Sequence, residues 1–195
     1  GATAIFSEED ISPYARRRDS RAAATLPLEL TPGLTAQPVG VISKNNGQPY
    51  SVYTPFNKAW KNLPQPQEND LLTTPARIDT PEDVNSLAIP STPHAPIDLF
   101  PAGEQEALER LERFTAADEA AVFAYAEQRN LPGTAGTSQL SPYLRFGMLS
   151  ARQAVVAARQ AIDRAPDSSA RKGAETWLNE LIWREFYINI LYFFP

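Results

Sequence analysis

The chain has 195 residues, of which 43% are hydrophobic and 21% charged, and its formal net charge at pH 7 is −5. The acidic balance argues mildly against a nucleic-acid partner, since a basic surface is the usual electrostatic footprint of one. The chain has no cysteine, which excludes disulfides and thiolate ligands, and its one histidine, His94, leaves little room for a histidine-based metal site. We therefore expect no metal.

No apolar run reaches the length of a transmembrane helix, and the N-terminus carries no signal peptide. We expect a cytoplasmic protein without a membrane partner. The opening ATAIFSEED passes from a short β-like run directly into ISPYARRRD, as if a βα unit had been entered midway. The closing INILYFFP is strongly apolar, so we expect a central segment of a longer protein.

Residues 26–101 contain 13 of the 18 prolines. Proline removes a backbone donor and fixes φ, so this region is predicted to be an extended connector, neither regular helix nor good sheet. Four aromatic residues within a short stretch predict that the connector packs onto a surface, because disordered linkers are depleted of aromatic residues. They are Tyr50, Tyr53, Phe56 and Trp60.

From Gly103 onward the apolar spacing predicts helices. One begins near Gly103, and a second ends before Pro132. Ser141 resembles an N-cap followed by proline at the first helical position. Ser150 and Gln153 have capping-box spacing and predict a helix to about Arg164, followed by a last helix over about 168–194.

The turn GTSQLSP combines hydroxyl groups and free backbone N–H groups. Such a turn can bind an anion through backbone donors. The alternative is that Thr137, Ser138 and Ser141 only cap helices, and the spacing alone favours capping.

The last helix contains TWLNELIWREFY. At about 100° per residue, Trp177 and Arg184 fall within a narrow sector, and Glu180, Tyr187 and Trp183 follow round the same side. A purely structural helix rarely carries so many polar groups in need of partners. A structural Glu180–Arg184 ion pair at spacing i,i+4 is the alternative, and spacing alone leaves the two open.

Two long stretches, YAEQRNLPGTAGTSQLSPYLRFGMLSARQ and TWLNELIWREFY, together resemble the flavin-binding domain of the DNA photolyase/cryptochrome family. Within that family they are most similar to the bacterial class I cyclobutane pyrimidine dimer photolyases. SPYARRRD resembles the end of the N-terminal antenna-binding α/β domain, and GQPYSVYTPFNKAW the start of the connector between the two domains.

The resemblance implies a mainly α fold: the first half of a helical FAD-binding domain at 103–195. It is preceded by a proline-rich connector at 37–102 and by the tail of the antenna-binding α/β domain at 1–36. The implied cofactor is FAD, reduced and anionic in the active form, and a longer protein could bind a second, antenna chromophore.

Residues are carried over from the family by position. Those matching FAD-binding positions are Tyr125, Thr137, Ser138, Gln139, Leu140, Ser141, Trp177 and Arg184. Glu180 and Trp183 match the catalytic positions that face the flipped-out dimer. The positions implied to contact DNA are Arg129, Asn179, Glu180, Trp183 and Tyr187.

The implied function is light-driven repair of pyrimidine dimers in UV-damaged DNA, by electron transfer from excited reduced FAD. The implied enzyme is a carbon–carbon lyase, monomeric when complete. The tryptophan electron relay and part of the flavin pocket are expected beyond residue 195, so the chain alone is expected to bind flavin incompletely and to be inactive. A cryptochrome-type photoreceptor is the alternative, which Trp183 disfavours, and a helical scaffold without cofactor is a third.

Overall fold

The computed structural model describes residues 2–80, 87–88, 99–116 and 120–195. His94 lies outside the described residues. The chain opens with strand β1 (Ile5–Glu8), helix α1 (Pro13–Ala23) and strand β2 (Leu28–Thr31). The strands are parallel, with Ile5 opposite Leu28. This is a βαβ unit, in agreement with the α/β character predicted for this end.

Strand β2 lies where we expected no good sheet, and that expectation is wrong for four residues. Pro27 precedes the strand and Pro32 follows it, so neither proline removes a donor from the ladder. Pro13 likewise costs nothing at the start of α1, where Ser12 caps the helix by accepting a hydrogen bond from the Ala15 N–H at 3.3 Å.

The connector also contains a regular helix, α2 (Tyr53–Asn62), which contradicts the prediction that this region has none. Pro55 is the third residue of α2, and the first-turn N–H groups of a helix have no intrahelical partner to lose. The predicted packing of the connector is correct, because Phe56 and Trp60 are each only 1% exposed. A short 3₁₀ helix follows at Glu68–Asp70.

Helices make up most of the remainder, and the prediction of a mainly α chain is confirmed. Helix α3 (Glu104–Thr115) precedes a 3₁₀ turn (Ala121–Ala124) that leads into the short α4 (Tyr125–Gln128). Then come α5 (Ser141–Arg145), α6 (Ala151–Arg164) and α7 (Ser168–Phe193). The boundaries predicted at 36/37 and 102/103 stay predictions.

The capping box of α6 is present as predicted. The Ser150 hydroxyl accepts from the Gln153 N–H at 3.1 Å, and the Gln153 side chain accepts from the Ser150 N–H at 2.8 Å. Asp167 caps α7 in the same way as a side-chain acceptor, at 2.8 Å from the Ala170 N–H. Both helix starts are therefore determined by local side chains.

The core lies where α7 packs against α6, the 3₁₀ turn, α4 and α2. Gly173 marks the closest approach. A Cβ at this position would lie 2.1 Å from the Phe123 carbonyl oxygen, so only glycine lets α7 reach the 3₁₀ turn. None of the helices in the described part of the chain has the length and apolarity needed to cross a bilayer.

Candidate functional site

A cavity of about 660 Å³ opens between α7, α4, α5 and the N-terminal segment. Its walls are a mixture of apolar, hydroxyl and charged side chains. Among the predicted site residues, those lining it are Tyr125, Ser138, Leu140, Ser141, Trp177, Glu180, Arg184 and Tyr187. Helix α7 thus brings its predicted polar stripe to the same space as the turn that precedes α5.

Two hydroxyl residues of the GTSQLSP stretch, Ser138 and Ser141, line the cavity. Thr137 and Gln139 do not line the cavity. Gln139 instead adopts φ of 53° and accepts a hydrogen bond from Arg110 at 3.2 Å. Its positive φ is a conformation that non-glycine residues seldom adopt.

The capping interpretation of this turn is not supported. Helix α5 begins at Ser141 itself, its N-cap is Leu140, and no side chain caps it. Within the described part of the chain, the hydroxyls of Thr137, Ser138 and Ser141 make no intramolecular hydrogen bond. Ser138 and Ser141 therefore present donors to the cavity that the fold itself does not use.

Trp177 and Arg184 lie one above the other on α7 and contribute an aromatic and a cationic wall. Trp177 is 3% exposed and meets the ring of Phe114 edge-on at 5.1 Å. Arg184 donates from Nη1 to the carbonyl of Leu34 at 2.8 Å. Burial lowers the pKa of Arg184, partly offset by the nearby Glu185 and Glu8.

Glu180 pairs with Arg129 rather than with Arg184. The Arg129 guanidinium donates from Nη1 to the Glu180 carboxylate, and both side chains keep about a third of their surface exposed. A Glu180–Arg184 ion pair is not found among the described residues. Helix α4, which carries Arg129 at its C-terminal cap, therefore supplies the cationic partner of Glu180, a role that spacing along α7 had suggested for Arg184.

Trp183, the other residue predicted to face the dimer, does not line the cavity. Its indole stacks on the ring of Tyr53 with centroids 3.6 Å apart and planes 5° from parallel. Tyr187 is 63% exposed, lines the cavity, and lies 5.6 Å from the Trp183 ring at 24°. Asn179 faces α2, where its side-chain oxygen accepts from Asn57 and Lys61.

Several residues of the site were missed by sequence reasoning. The N-terminal segment contributes Asp10, Ile11, Ser12 and Leu34 to the cavity wall, and α5 contributes Arg145. The positions of the four N-terminal residues could not be read from local spacing, because more than 100 residues separate them from the α7 residues that they face. The placement of Arg145 beside Ser141 in the cavity adds a second cation.

Glu185 was also missed, although the sequence carried a signal for it. It is 2% exposed and accepts from the N–H of Ala36 at 2.6 Å and from Trp60 Nε1 at 2.6 Å. Glu185 shares the buried face of α7 with Leu178, Ile182 and Asn189. A carboxylate on an apolar stripe requires buried donors, and that requirement predicts partners from another segment.

Arg184 donates to the Leu34 carbonyl. The neighbouring carboxylate of Glu185, which is buried, accepts from the N–H groups of Ala36 and Gln37. Burial raises the pKa of Glu185, and this effect is larger than the lowering caused by the hydrogen bonds from its three donors. Arg184 and Glu185 thus hold residues 34–37 against α7, and Leu34 lines the cavity. No three acidic or histidine side chains within the described ranges are placed to hold a metal ion.

This arrangement suits a large ligand with an aromatic part and an anionic part. The apolar walls and Trp177 can cover rings, whereas Ser138, Ser141 and two arginines can meet an anion. The carboxylate of Glu180 lies at the cavity wall beside the exposed Tyr187.

Comparison with known proteins points to one family. The model of the DNA photolyase family matches residues 1–76. The chain is 37% identical to a deoxyribodipyrimidine photo-lyase of Synechococcus sp., over 100% of this chain and 43% of that protein. It is 33% identical to a Thermus thermophilus deoxyribodipyrimidine photo-lyase, over 100% of this chain and 41% of that protein.

An uncharacterised 31.6 kDa protein of Synechococcus sp. is 37% identical over 95% of this chain and 67% of its own length. Among solved structures, a bacterial class III photolyase from Agrobacterium tumefaciens matches with a TM-score of 0.76 at 24% identity. That match covers 100% of this chain and 42% of the solved chain, and it shows the likeness of fold. The chain therefore spans less than half the length of the two named photo-lyases.

Proposed function

Because this chain belongs to the DNA photolyase family, we propose that it supplies part of the FAD- and lesion-binding site of a light-driven pyrimidine-dimer repair enzyme. The observation that supports this proposal is the shared cavity of Ser138, Ser141, Trp177 and Arg184. These residues come from a turn and a helix far apart in sequence, and each matches a family position for FAD. A scaffold without cofactor would have no need for such a convergence.

The residues of the cavity fit FAD by their chemistry. The hydroxyls of Ser138 and Ser141 have no intramolecular partner in the described chain, so they are free to donate to a pyrophosphate. Arg184 and Arg145 would balance its charge, and cation–phosphate hydrogen bonds are stronger than neutral ones. Leu140 and Trp177, both buried, would pack against the apolar part.

The lesion would meet the outer rim of the same cavity. A dimer is hidden in duplex DNA, so an enzyme must extrude it, and a damaged pair costs least to flip. Aromatic surfaces then replace the lost stacking, a role that fits Trp183 and the exposed Tyr187. Glu180 would hydrogen-bond the edge of the base, oriented by Arg129.

A reduced flavin held by these residues would supply the light-driven electron chemistry. The residues of this chain hold the reactants and exclude water. Trp177 and Leu140 form a buried part of the cavity wall, and Arg184 ties it to the N-terminal segment through the Leu34 carbonyl. Arg129 lies beside Glu180, where a DNA phosphate would compete with the carboxylate for the guanidinium.

Flavin binding by this chain tests the proposal. The fluorescence of FAD should be quenched as the protein is added, and FAD should bind more tightly than riboflavin, which lacks the phosphates. Exchanging Ser138 and Ser141 together for alanine should weaken FAD binding about tenfold, since two hydrogen bonds to an anion are worth at least 1.4 kcal/mol together. Riboflavin binding should change little, and Ser20→Ala, on the exposed side of α1, is the matched control.

If the double variant binds FAD as the parent does, the assignment of the turn to the phosphates is wrong. When this chain is part of a longer, flavin-loaded protein, illumination with reductant should remove dimers from irradiated oligothymidylate. Flavin binding with photoreduction but without loss of dimers would favour the photoreceptor alternative.

A further inference from the structure

The connector helix α2 packs its first turn against the lesion-facing part of α7. Tyr53 lies flat on the indole of Trp183, with ring centroids 3.6 Å apart and planes 5° from parallel. This close, parallel overlap occupies one face of the indole, so a base would stack on the opposite face.

Tyr53 is itself held by hydrogen bonds at its other end. Its hydroxyl donates to the backbone carbonyl of Asn179 at 2.9 Å and accepts from Asn57 Nδ2 at 2.6 Å. Asn57 also donates to the side-chain oxygen of Asn179 at 3.0 Å, and Lys61 to the same oxygen at 2.8 Å. Tyr53, Asn57 and Lys61 follow one another at spacing four along α2 and are thus on one face of it.

Phe186 braces both rings from the side. Its ring meets Trp183 edge-on at 5.6 Å and Tyr53 edge-on at 5.9 Å. Phe186 is only 6% exposed, so the ring that contacts Trp183 and Tyr53 is part of the hydrophobic core. Trp183 is therefore held on one face by Tyr53 and at an edge by Phe186, whereas Tyr187 beside it stays exposed.

We infer that Tyr53, a residue of the connector, is a positioning residue that fixes the indole plane of Trp183 for stacking on a flipped base. The inference rests on the proposed function, because Trp183 is given the lesion-facing role there. A stacking platform works only if its plane is already fixed, since ordering a free side chain on binding costs entropy. The connector would in this way take part in lesion recognition and not only join two domains.

The role of the ring and that of the hydroxyl can be separated by two variants. Tyr53→Phe keeps the stacked ring and loses the hydrogen bonds to Asn179 and Asn57. Tyr53→Leu keeps an apolar but shorter side chain and loses the stack. The ring is what holds Trp183, so the phenylalanine variant should rescue what the leucine variant loses.

The test uses this chain labelled with 5-fluorotryptophan, which gives three fluorine signals for its three tryptophans. Trp183→Phe identifies the signal of Trp183. In Tyr53→Leu that signal should shift and broaden, whereas the signals of the buried Trp60 and Trp177 stay in place. In Tyr53→Phe it should stay close to its parent position. A Trp183 signal that is the same in Tyr53→Leu and in the parent would overturn the inference.

Binding to thymidine oligonucleotides with and without a dimer then links the plane of Trp183 to recognition. Tyr53→Leu should lose roughly three- to tenfold of the preference for the dimer, the range of one aromatic pair, and Tyr53→Phe should retain it. If the Trp183 signal moves and the preference does not, the positioning role is wrong. If the parent itself shows no preference, the proposed function fails, and the fluorine signals still decide whether Tyr53 fixes Trp183.

Discussion

Gly173 offers the sharpest test of how this fold is packed, because helix propensity and packing predict opposite signs for its replacement by alanine. Gly173 is an interior residue of α7, where alanine is normally more stable than glycine by about 1 kcal/mol. A Cβ added here would lie 2.1 Å from the carbonyl oxygen of Phe123 and 2.7 Å from that of Val122. Both obstacles are backbone atoms, which cannot rotate away as a side chain can.

The size of the effect follows from these distances. Carbon and oxygen in contact are separated by about 3.3 Å or more, so the 3₁₀ turn would have to retreat from α7 by roughly 1.2 Å. Overpacking of this kind costs about 1–3 kcal/mol, and rigid backbone obstacles place it at the upper end. After the gain in helix propensity, Gly173→Ala should destabilise the chain by about 2 kcal/mol, which lowers the Tm by roughly 4–8 °C at this size.

Urea unfolding followed by far-UV circular dichroism measures this difference. Lys172→Ala, an exposed neighbour on the same helix, should change the free energy of unfolding by less than about 0.5 kcal/mol. Near-UV circular dichroism should change in Gly173→Ala as well, because the 3₁₀ turn leads directly into Tyr125, whose ring meets Phe114 edge-on at 6.0 Å. A variant as stable as the parent, or more stable, would refute the close approach of α7 to this turn.

Two further predictions concern charges. Burial raises the pKa of Glu185 above its ordinary value of 4.5, so the folded chain binds this proton more tightly than the unfolded chain. The contribution of Glu185 to the free energy of unfolding should be complete below pH 4.5 and be lost as the pH rises through the folded pKa, at up to about 1.4 kcal/mol per pH unit. Urea unfolding of Glu185→Gln should show no such loss, and parallel pH profiles for the variant and the parent would contradict the prediction. Arg129→Gln should lower the free energy of unfolding by less than about 1 kcal/mol, because its pair with Glu180 is partly exposed. The same variant should reduce the slope of log K for DNA binding against log salt concentration by about one. An unchanged slope would show that Arg129 does not contact DNA.

Helix ends and the family were predictable from the sequence because both depend on residues close together in the chain. Ser150 and Gln153 cap α6 as their spacing predicts, and the start of α7 at Ser168 was placed correctly. The family prediction is confirmed by its relatives, and it came from two continuous stretches rather than from scattered residues. The roles of the individual site residues stay predictions.

Counting prolines misled the prediction for the connector. The effect of a proline depends on its place within an element, and Pro55 falls in the first turn of α2, where it costs no hydrogen bond. The same reasoning about single elements suggested Ser141 as a helix cap, whereas α5 already begins at that residue and leaves its hydroxyl to the cavity.

Spacing along one helix predicted which side chains share a face, and Trp177, Glu180 and Arg184 do line one cavity, whereas the buried Glu185 was missed. The partners of these residues depend on tertiary packing, which brings Arg129 to Glu180, Leu34 to Arg184, and Ala36 with Trp60 to Glu185. The periodicity of a helix is a local property of the backbone, fixed at about 3.6 residues per turn. Partners 50 to 150 residues away are selected by how whole elements pack, and no spacing within one helix contains that information.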